Sequence, residues 1–408
     1  MTSDQLLQES KRYEEELISI RRYLHTHPGT GFDIQDTLNF VKNKLIEMGY
    51  EPKECGKAGL VAIAGGKKEG KVFLIRGDMD ALPIHEEADI EFKSTNGKMH
   101  ACGHDMHTTM MLGAAKLLKE HENEINGTIK LMFQPAEEIF EGSKDMINDG
   151  LLENPKVDAA LMIHVMAGMP FKTGTAIVSD GGVSAPAADY FTINVQGKGC
   201  HGSMPNNGVD PITVAAHIIT ALQEINAREL SLSDEAVLTI GSIHGGKAGN
   251  AIPDTVELCG TIRTYDEDIR NFLKTRMIEI SQGISISLRA TAEVSFGSGC
   301  PTLVNDPDLS KCTVKYLQEL FDKSSVFTAG QLNAMSGDKK APKTAGSEDF
   351  AYVSQEVPSI MLAFAAGTPN EGYCYPQHHP KAKFDESALI KGSAVYAYTA
   401  MRWLEEHK

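Results

Sequence analysis

Four short apolar segments constrain the fold of this chain more than any other feature. They are "GLVAIAG" (59–65), "KVFLIRGD" (71–78), "GTIKLMFQ" (127–134) and "VDAALMIHV" (157–165), and segments with helical spacing lie near 104–120 and 141–150. Continuous apolar runs of this length are typical of strands buried on both faces. Their alternation with helices predicts an α/β fold in which helices flank a mixed sheet.

The pattern changes near residue 183. A half-exposed strand, a helix (about 210–228), two strands, a helix (about 266–282) and the strand "SLRATAEVSF" follow one another. This βαββαβ order is typical of a ferredoxin-like α+β unit. A chain of 408 residues also exceeds the usual size of a single core. The prediction is therefore a larger domain built from 1–182 and 297–408, with a second domain at 183–296 inserted into it.

Composition narrows the range of partners and locations. With 39 basic and 55 acidic residues the formal net charge is -16, which repels phosphate backbones and anionic lipids, so we expect neither a nucleic acid nor a membrane partner. The charged N-terminal stretch lacks the apolar core of a secretory signal, and no run approaches the length of a spanning helix. The seven cysteines form no CxxC pair, which favours reduced thiols. A cytoplasmic protein is expected.

The segment "HACGHDMH" (100–107) concentrates groups that can bind a metal. Cys102 and His104 are two residues apart and converge on one centre only from a bend, which Gly103 permits. A thiolate and an imidazole suit zinc and other late first-row metals. The alternative is a polar loop without a metal.

A second candidate cluster is "FQPAEE", where Glu137 and Glu138 follow a predicted strand. Neighbouring side chains on an extended chain diverge, so one carboxylate could bind a metal while the other accepts a proton from water. The alternative is an acidic helix start.

Single polar residues follow other predicted strands. His164 ends "LMIH", Asp78 and Asp80 end "RGDMD", and His378 and His379 precede a proline late in the chain. An aspartate there could bind a metal or orient a ligating histidine. The alternatives are a core histidine with satisfied hydrogen bonds and an aspartate that caps a turn.

In the predicted inserted domain, His201 and Asn250 lie in glycine-rich segments and Arg263 lies on a strand. Histidine, asparagine and arginine together could receive an anion or a carbonyl, with arginine forming a bidentate pair with a carboxylate. The alternative is that these loops are only turns.

The motifs "RGDMDALP", "HACGHDMH", "FQPAEE", "IHV", "GCHGSMP", "GNAIPD", "SEDFA" and "HHP" occur in one order across roughly residues 20–390. In this the chain resembles the di-metal aminoacylase and carboxypeptidase family, in particular its amidohydrolase branch of hippurate hydrolases, N-acyl amino acid deacetylases and auxin-conjugate hydrolases. The resemblance implies two divalent metal ions per subunit (Zn, Mn, Co or Ni). It implies five metal ligands: Cys102, His104, Glu138, His164 and His378.

The resemblance also assigns roles. Cys102 would bridge the two ions, Glu137 would act as the general base, and Asp80 would support the ligands. His201 and Asn250 would contact the scissile carbonyl, and Arg263 the substrate carboxylate. The inserted domain would act as a lid and as the contact of a homodimer. One departure is Ala167, where the family commonly has proline.

The expected activity is hydrolysis of the amide bond of a small-molecule N-acyl amino acid, with an acetyl, benzoyl or similar acyl group, to a carboxylic acid and a free amino acid. The alternatives are a dipeptidase or carboxypeptidase acting on short peptides and a non-catalytic metal-binding protein. A redox enzyme based on Cys102 is disfavoured because no resolving cysteine lies near it in the sequence. The roles of Ser347, Glu348 and Asp349 stay open.

Overall fold

The computed structural model describes residues 2–336 and 346–408, and these form two compact units. The first contains the described parts of Met1–Ser184, Val304–Lys343 and Asp349–Lys408, and the second contains Ala185–Leu303 with the described part of Thr344–Glu348. The second unit ends later than the sequence-based boundary at 296, since its last strand continues to Cys300.

Helices and strands alternate along much of the described chain. The helices are α1 (Ser3–Lys11), α2 (Glu14–Thr26), α3 (Gln35–Glu47), α4 (His104–Glu120), α5 (Gly142–Asn148), α6 (Pro211–Glu224), α7 (Glu267–Ser287), α8 (Pro307–Leu320), α9 (Ala329–Ser336), α10 (Ala351–Glu356) and α11 (Ala388–Glu406). The strands are β1 (Lys53–Cys55), β2 (Gly59–Gly65), β3 (Val72–Asp78), β4 (Thr128–Gln134), β5 (Ala159–Met166), β6 (Ala176–Val178), β7 (Gly182–Ala185), β8 (Ala187–Gln196), β9 (Cys200–His201), β10 (Ala236–Gly245), β11 (Ala251–Ile252), β12 (Thr255–Thr264), β13 (Thr291–Cys300), β14 (Leu303–Asn305), β15 (Val326–Thr328) and β16 (Ser359–Ala365). Each helix in these ranges is too short or too polar to cross a bilayer.

The first unit is built on an eight-stranded mixed sheet in the order β1-β2-β4-β3-β5-β16-β6-β15. Its central strands β4, β3, β5 and β16 run parallel, while β1, β2 and β6 pair antiparallel with their neighbours β2, β4 and β16. Every residue of β3 and β4 is buried, which explains why these strands are continuous apolar runs in the sequence. The predicted α/β class with a mixed sheet is confirmed.

Helices cover this sheet in packed groups. Helices α4 and α11 pack together and both contact β3, whereas α5 and α10 pack together and contact β4 and β16. Fourteen residues of the seventeen-residue α4 are buried, so this helix belongs to the core of the unit. Its first residue, His104, is therefore held by packing along the whole helix.

The second unit contains a four-stranded antiparallel sheet in the order β10-β12-β8-β13. Its elements follow one another as β8, α6, β10, β12, α7 and β13, which is the βαββαβ order expected from the sequence. Apolar residues of α6 and α7 form one core with the sheet. Strands β9 and β11 form a separate short pair.

Two helices, α1 and α2, follow one another at the start of the chain with a short break between them. The Ser10 hydroxyl donates to Leu7 O at 2.9 Å, and a serine bonded to its own backbone competes with helix continuation. The N–H groups of Arg12 and Tyr13 then donate to carbonyls three residues back, at 3.0 and 3.1 Å. These tighter bonds end α1.

A buried group of ion pairs joins α2 to the start of α4. Arg21 Nε donates to Asp105 Oδ2 at 2.7 Å, His25 Nδ1 lies 2.9 Å from the same oxygen, and His25 Nε2 lies 3.0 Å from Glu86 Oε1. These four residues are at most 3% exposed. Burial alone lowers the pKa of His25, but the two carboxylates raise it above its ordinary value. The ring is therefore held as an imidazolium that ties α2 to the residue after His104.

We predict that Arg21→Met lowers the free energy of unfolding by about 3–5 kcal/mol, because it leaves the Asp105 carboxylate buried without its main partner. Arg22→Met is the matched control, since Arg22 also pairs with Glu386 but is 45% exposed and should cost at most about 1 kcal/mol. Urea unfolding with linear extrapolation measures both values. Equal losses in the two variants would contradict a structural role for the buried group.

Candidate metal centre

The candidate centre lies at the carboxyl ends of neighbouring parallel strands. Strand β3 ends at Asp78, β4 ends at Gln134 just before the two glutamates, and His164 lies near the end of β5. Strands β4, β3 and β5 are adjacent and parallel, so their ends meet at one edge of the sheet, where open α/β sheets usually bind ligands.

The loop before α4 brings Cys102 and His104 to this edge. Gly103 lies between them with φ 94°, a conformation that side chains other than glycine rarely adopt. A Cβ on Gly103 would lie 2.5 Å from Val165 Cγ2, so space as well as conformation requires glycine here. The result places Cys102 Sγ 3.4 Å from His164 Nε2.

Main-chain hydrogen bonds orient two of the histidines. His104 Nδ1 lies 2.8 Å from Asp80 O, and His164 Nδ1 lies 2.8 Å from Val165 O. A carbonyl can only accept, so both rings carry a proton on Nδ1, and Nε2 carries the lone pair when the ring is neutral. A histidine that ligates a metal is commonly oriented in this way.

Two groups of donor atoms share one residue, Cys102. Cys102, His104 and His164 form the first, Cys102, Glu138 and His378 form the second, and the ligand atoms within each group lie within 4.8 Å of one another. The His378 N–H donates to Ala101 O at 3.0 Å, which ties the late segment of the chain to the Cys102 loop. The structure thus brings together all five residues that the sequence singles out as metal ligands.

Unpaired buried atoms show that this donor set fits a metal. His104 Nε2 and Glu138 Oε1 have no hydrogen-bond partner among the described residues, although both atoms are buried. Burying a polar atom without a partner is costly, and a cation among these atoms would remove that cost. Thiolate, imidazole and carboxylate together suit zinc and several other divalent ions.

Two further candidate groups overlap with these: His104 with Glu137 and Glu138, and Asp78 with His104 and His107. The Asp78 group fits a metal less well. Asp78 Oδ2 accepts from Arg76 Nη1 at 2.7 Å, and Asp78 Oδ1 lies 2.6 Å from His107 Nδ1. Both carboxylate oxygens are therefore already used. Asp78 lies beside the centre, with Oδ2 3.5 Å from His104 Nε2.

Asp80 positions the turn that carries the two glutamates. Its Oδ1 accepts the N–H of Glu137 at 3.0 Å and its Oδ2 accepts the N–H of Glu138 at 3.2 Å. Ala136, just before them, has φ 54°, so the chain is no longer extended here. The expectation that the two side chains diverge is therefore wrong: carboxylate oxygens of Glu137 and Glu138 lie 3.9 and 3.8 Å from His104 Nε2.

Burial controls the protonation of the candidate ligands. Burial, with the Glu138 carboxylate nearby, raises the pKa of the Cys102 thiol well above its usual range, and burial raises the pKa of Glu138 to about 7. Burial alone lowers the pKa of His104, but the charge of Asp78 raises it well above its ordinary value. Protons therefore compete with a metal for these three side chains.

A second buried network, around Arg76, was missed by the sequence reasoning. Arg76 donates to Gln134 Oε1 at 2.7 Å and to Asp349 Oδ1 at 3.3 Å, and Asp349 Oδ2 accepts the Ser143 N–H at 3.0 Å. Asp349, whose role the sequence left open, thus supports the strands beneath the centre. An arginine inside the apolar run "KVFLIRGD" was the available signal, because a buried guanidinium requires acceptors.

The remaining candidate residues belong to the second unit. His201 on β9 pairs with Ala251 on β11. The Gly202 N–H donates to Asn250 O at 2.8 Å, so His201 and Asn250 lie in adjacent segments. The Ser203 N–H donates to His201 Nδ1 at 3.1 Å, which leaves Nε2 as the ring's donor. Arg263 lies on β12, with its guanidinium carbon 5.7 Å from the centre of the Tyr190 ring.

Comparison with known proteins gives consistent matches along the chain. The model of Peptidase family M20/M25/M40 matches residues 74–402. N-acetyl-L-cysteine deacetylase of Bacillus subtilis is 38% identical over 97% of this chain and 90% of its own length. Thermostable carboxypeptidase 1 of Saccharolobus solfataricus is 36% identical over 98% of each chain. The crystal structure of the Bacillus subtilis YXEP protein, described as a dinuclear metal binding peptidase from the M20 family, is 30% identical, covers 97% of this chain and 99% of its own, and superposes with a TM-score of 0.76.

We predict that the affinity of the centre for Zn²⁺ rises with pH through about 7. Below that pH the Glu138 carboxyl, with its pKa raised to about 7, is mostly protonated, and the ion must displace its proton as well as those on Cys102 and His104. Zinc titration of metal-stripped protein at pH 6 to 8, with proton release followed in weak buffer, measures the effect. An affinity independent of pH, with no proton released, would contradict this protonation pattern.

Proposed function

This chain belongs to peptidase family M20/M25/M40 and is a metal-dependent hydrolase of amide bonds, and we propose that its substrates are N-acyl amino acids. The acyl group would be acetyl, benzoyl or similar, and the products a carboxylic acid and a free amino acid. The observation that carries the proposal is the pair of donor groups that share Cys102, with the buried carboxylate of Glu137 3.9 Å from His104 Nε2. The match to N-acetyl-L-cysteine deacetylase supports the substrate class.

We propose that the centre binds two divalent ions, Zn, Mn, Co or Ni. Cys102, His104 and His164 would hold one, and Cys102, Glu138 and His378 the other, in line with the two donor groups. Ions bound there would polarise the amide carbonyl and lower the pKa of water. The description of the similar YXEP protein as a dinuclear metal binding peptidase supports the number of ions.

Glu137 is proposed as the general base. Its side chain is buried, its oxygen lies 3.9 Å from His104 Nε2, and its backbone is fixed by Asp80. The carboxylate would accept a proton from the attacking water and return it to the nitrogen of the leaving amine. Asp80 would act by holding Glu137 and Glu138 in place.

Residues of the second unit are proposed to bind the substrate. His201 Nε2–H would donate to the oxyanion that develops on the carbonyl, Asn250 would contact the same carbonyl, and Arg263 would hold the free carboxylate. The Nδ1 acceptor role of His201 supports a donor at Nε2. We propose further that this unit acts as a lid and forms a homodimer contact.

We also propose that the protein is cytoplasmic, because its seven cysteines are all free.

A peptidase activity is the second candidate. The match to a thermostable carboxypeptidase at 36% identity favours it, because a peptide bond next to a free carboxylate presents the same groups as an N-acyl amino acid. A metal-binding protein without activity is disfavoured, because a storage site needs no carboxylate such as Glu137 beyond its ligands.

We predict that removing metal with a chelator abolishes hydrolysis and that at least one of Zn²⁺, Mn²⁺, Co²⁺ and Ni²⁺ restores it. The restored protein, tested on N-acetyl and N-benzoyl amino acids and on dipeptides with the same C-terminal residue, should give the higher kcat/KM with the N-acyl substrates. Full activity in metal-free protein would rule out the proposed mechanism. Faster turnover of the dipeptides would favour the peptidase instead.

We predict that Glu137→Gln lowers kcat by about 100- to 10,000-fold, because the amide cannot take a proton from water. The variant should still bind metal, since the ligands are unchanged. Glu141→Gln, in the same turn but exposed, is the control and should leave kcat unaltered. Steady-state kinetics and metal analysis of both variants test the role, and an unaltered rate in Glu137→Gln would mean that another group accepts the proton.

A further inference from the structure

His107 lies against the candidate centre without belonging to either donor group. It occupies the first turn of α4 and is fully buried. Its ring centroid lies 4.8 Å from that of His164, at an interplanar angle of 71°, and 5.4 Å from that of His104. It is therefore packed against both histidines of the first donor group.

Hydrogen bonds fix this ring in one tautomer. The Val165 N–H donates to His107 Nε2 at 2.8 Å. An N–H can only donate, so Nε2 is unprotonated and the proton of the neutral ring is on Nδ1. His107 Nδ1 lies 2.6 Å from Asp78 Oδ1, to which it donates.

The Asp78 end of this chain of bonds is itself anchored. Asp78 Oδ2 accepts from Arg76 at 2.7 Å, and the Thr108 hydroxyl donates to Asp78 O at 2.6 Å. Arg76 is in turn bonded to Gln134 and Asp349. The carboxylate cannot turn without breaking several buried bonds, so it sets the position of the His107 ring.

The Val165 end reaches His164 directly. The N–H that His107 accepts belongs to the peptide joining His164 to Val165, and the Val165 carbonyl accepts from His164 Nδ1 at 2.8 Å. We infer that His107 is a positioning residue for His164: held between Asp78 and the Val165 N–H, it fixes the backbone that aims His164 Nε2 at Cys102. The inference rests on the proposed function, in which His164 holds one of two ions.

A purely structural role would look different. A buried histidine can serve only to satisfy Asp78 and Val165, and its loss would then lower stability without changing metal binding. If His107 positions His164, loss of the bond to the Val165 N–H should weaken metal binding more than loss of the bond to Asp78. Only the first of these bonds contacts the backbone next to His164. This inequality can be tested with two amide side chains of different length.

The test compares His107→Gln with His107→Asn. The longer Gln amide reaches the place of Nε2 and can accept from Val165, whereas the shorter Asn amide reaches the place of Nδ1 and retains the bond to Asp78. Zn²⁺ titration of metal-stripped protein is expected to show two ions for His107→Gln. For His107→Asn the affinity of one ion should fall about 10- to 100-fold, the usual effect of losing a residue that orients a ligand.

Two further readouts separate positioning from stability. Co²⁺ bound by Cys102 and two histidines should give a thiolate absorption band, which His107→Asn weakens and His107→Gln retains. The rise in thermal midpoint on adding Zn²⁺ should be smaller for His107→Asn, because weaker binding stabilises less. Tyr50→Phe is the control: the buried Tyr50 hydroxyl donates to Ala115 O, on the same helix as His107, at 2.7 Å, and its loss should lower stability without altering the metal titration.

The outcomes are distinct. Equal metal binding by the two His107 variants, with or without a loss of stability, overturns the inference and leaves the proposed function intact. Wild-type protein that binds no second ion overturns the proposed function instead. If one variant does not fold, the Co²⁺ band of the other, compared with wild type, decides: a weakened band in His107→Gln or an unchanged band in His107→Asn overturns the positioning role.

Discussion

The arrangement of the centre depends on one residue, Asp80, which bonds to three of its parts at once. Its two carboxylate oxygens accept the N–H groups of Glu137 and Glu138, and its carbonyl accepts the proton of His104 Nδ1. The end of β3, the turn after β4 and the first residue of α4 are thereby joined through a single side chain and its backbone. Because all of these acceptors are used, the proposed base and two proposed ligands keep one geometry relative to one another.

A network of buried charged side chains lies next to the centre and supports it. Arg76, Asp78 and Asp349 are fully buried, and taking such charges out of water is costly unless each finds partners. Arg76 donates hydrogen bonds to both aspartates and to Gln134, so each buried charge has a partner. These bonds also join β3, β4 and the segment just before α10. On the other side of Asp78, His107 carries the network to β5. The network therefore holds the ends of β3, β4 and β5 together beside the candidate ligands.

Most of the fold and the positions of the site residues could be predicted from local patterns. Buried strands are continuous apolar runs, and polar residues after their ends must gather at one edge of a parallel sheet, so Asp78, His164 and the two glutamates could be placed near one another. The proposed ligand set, with Cys102, came from the resemblance of the motifs. Contacts between distant residues have no local signature: Arg76 and Asp349 are 273 residues apart. The turn at Ala136 also escaped prediction, because a positive φ is not a preference of alanine and the bonds around it, from Asp80 and from Gly31, join distant parts of the chain.

The hydrogen bonds that orient His104 and His164 end on main-chain carbonyls, those of Asp80 and Val165. A carbonyl oxygen of the backbone is present whatever the side chain, so substitution at these or neighbouring positions does not remove the acceptor while the backbone keeps its path. Side chains around the centre that do not hold this backbone in place can thus be exchanged without altering how the two imidazoles face the centre. A centre whose imidazoles are oriented by the backbone can therefore keep its chemistry while the side chains that line a substrate pocket change.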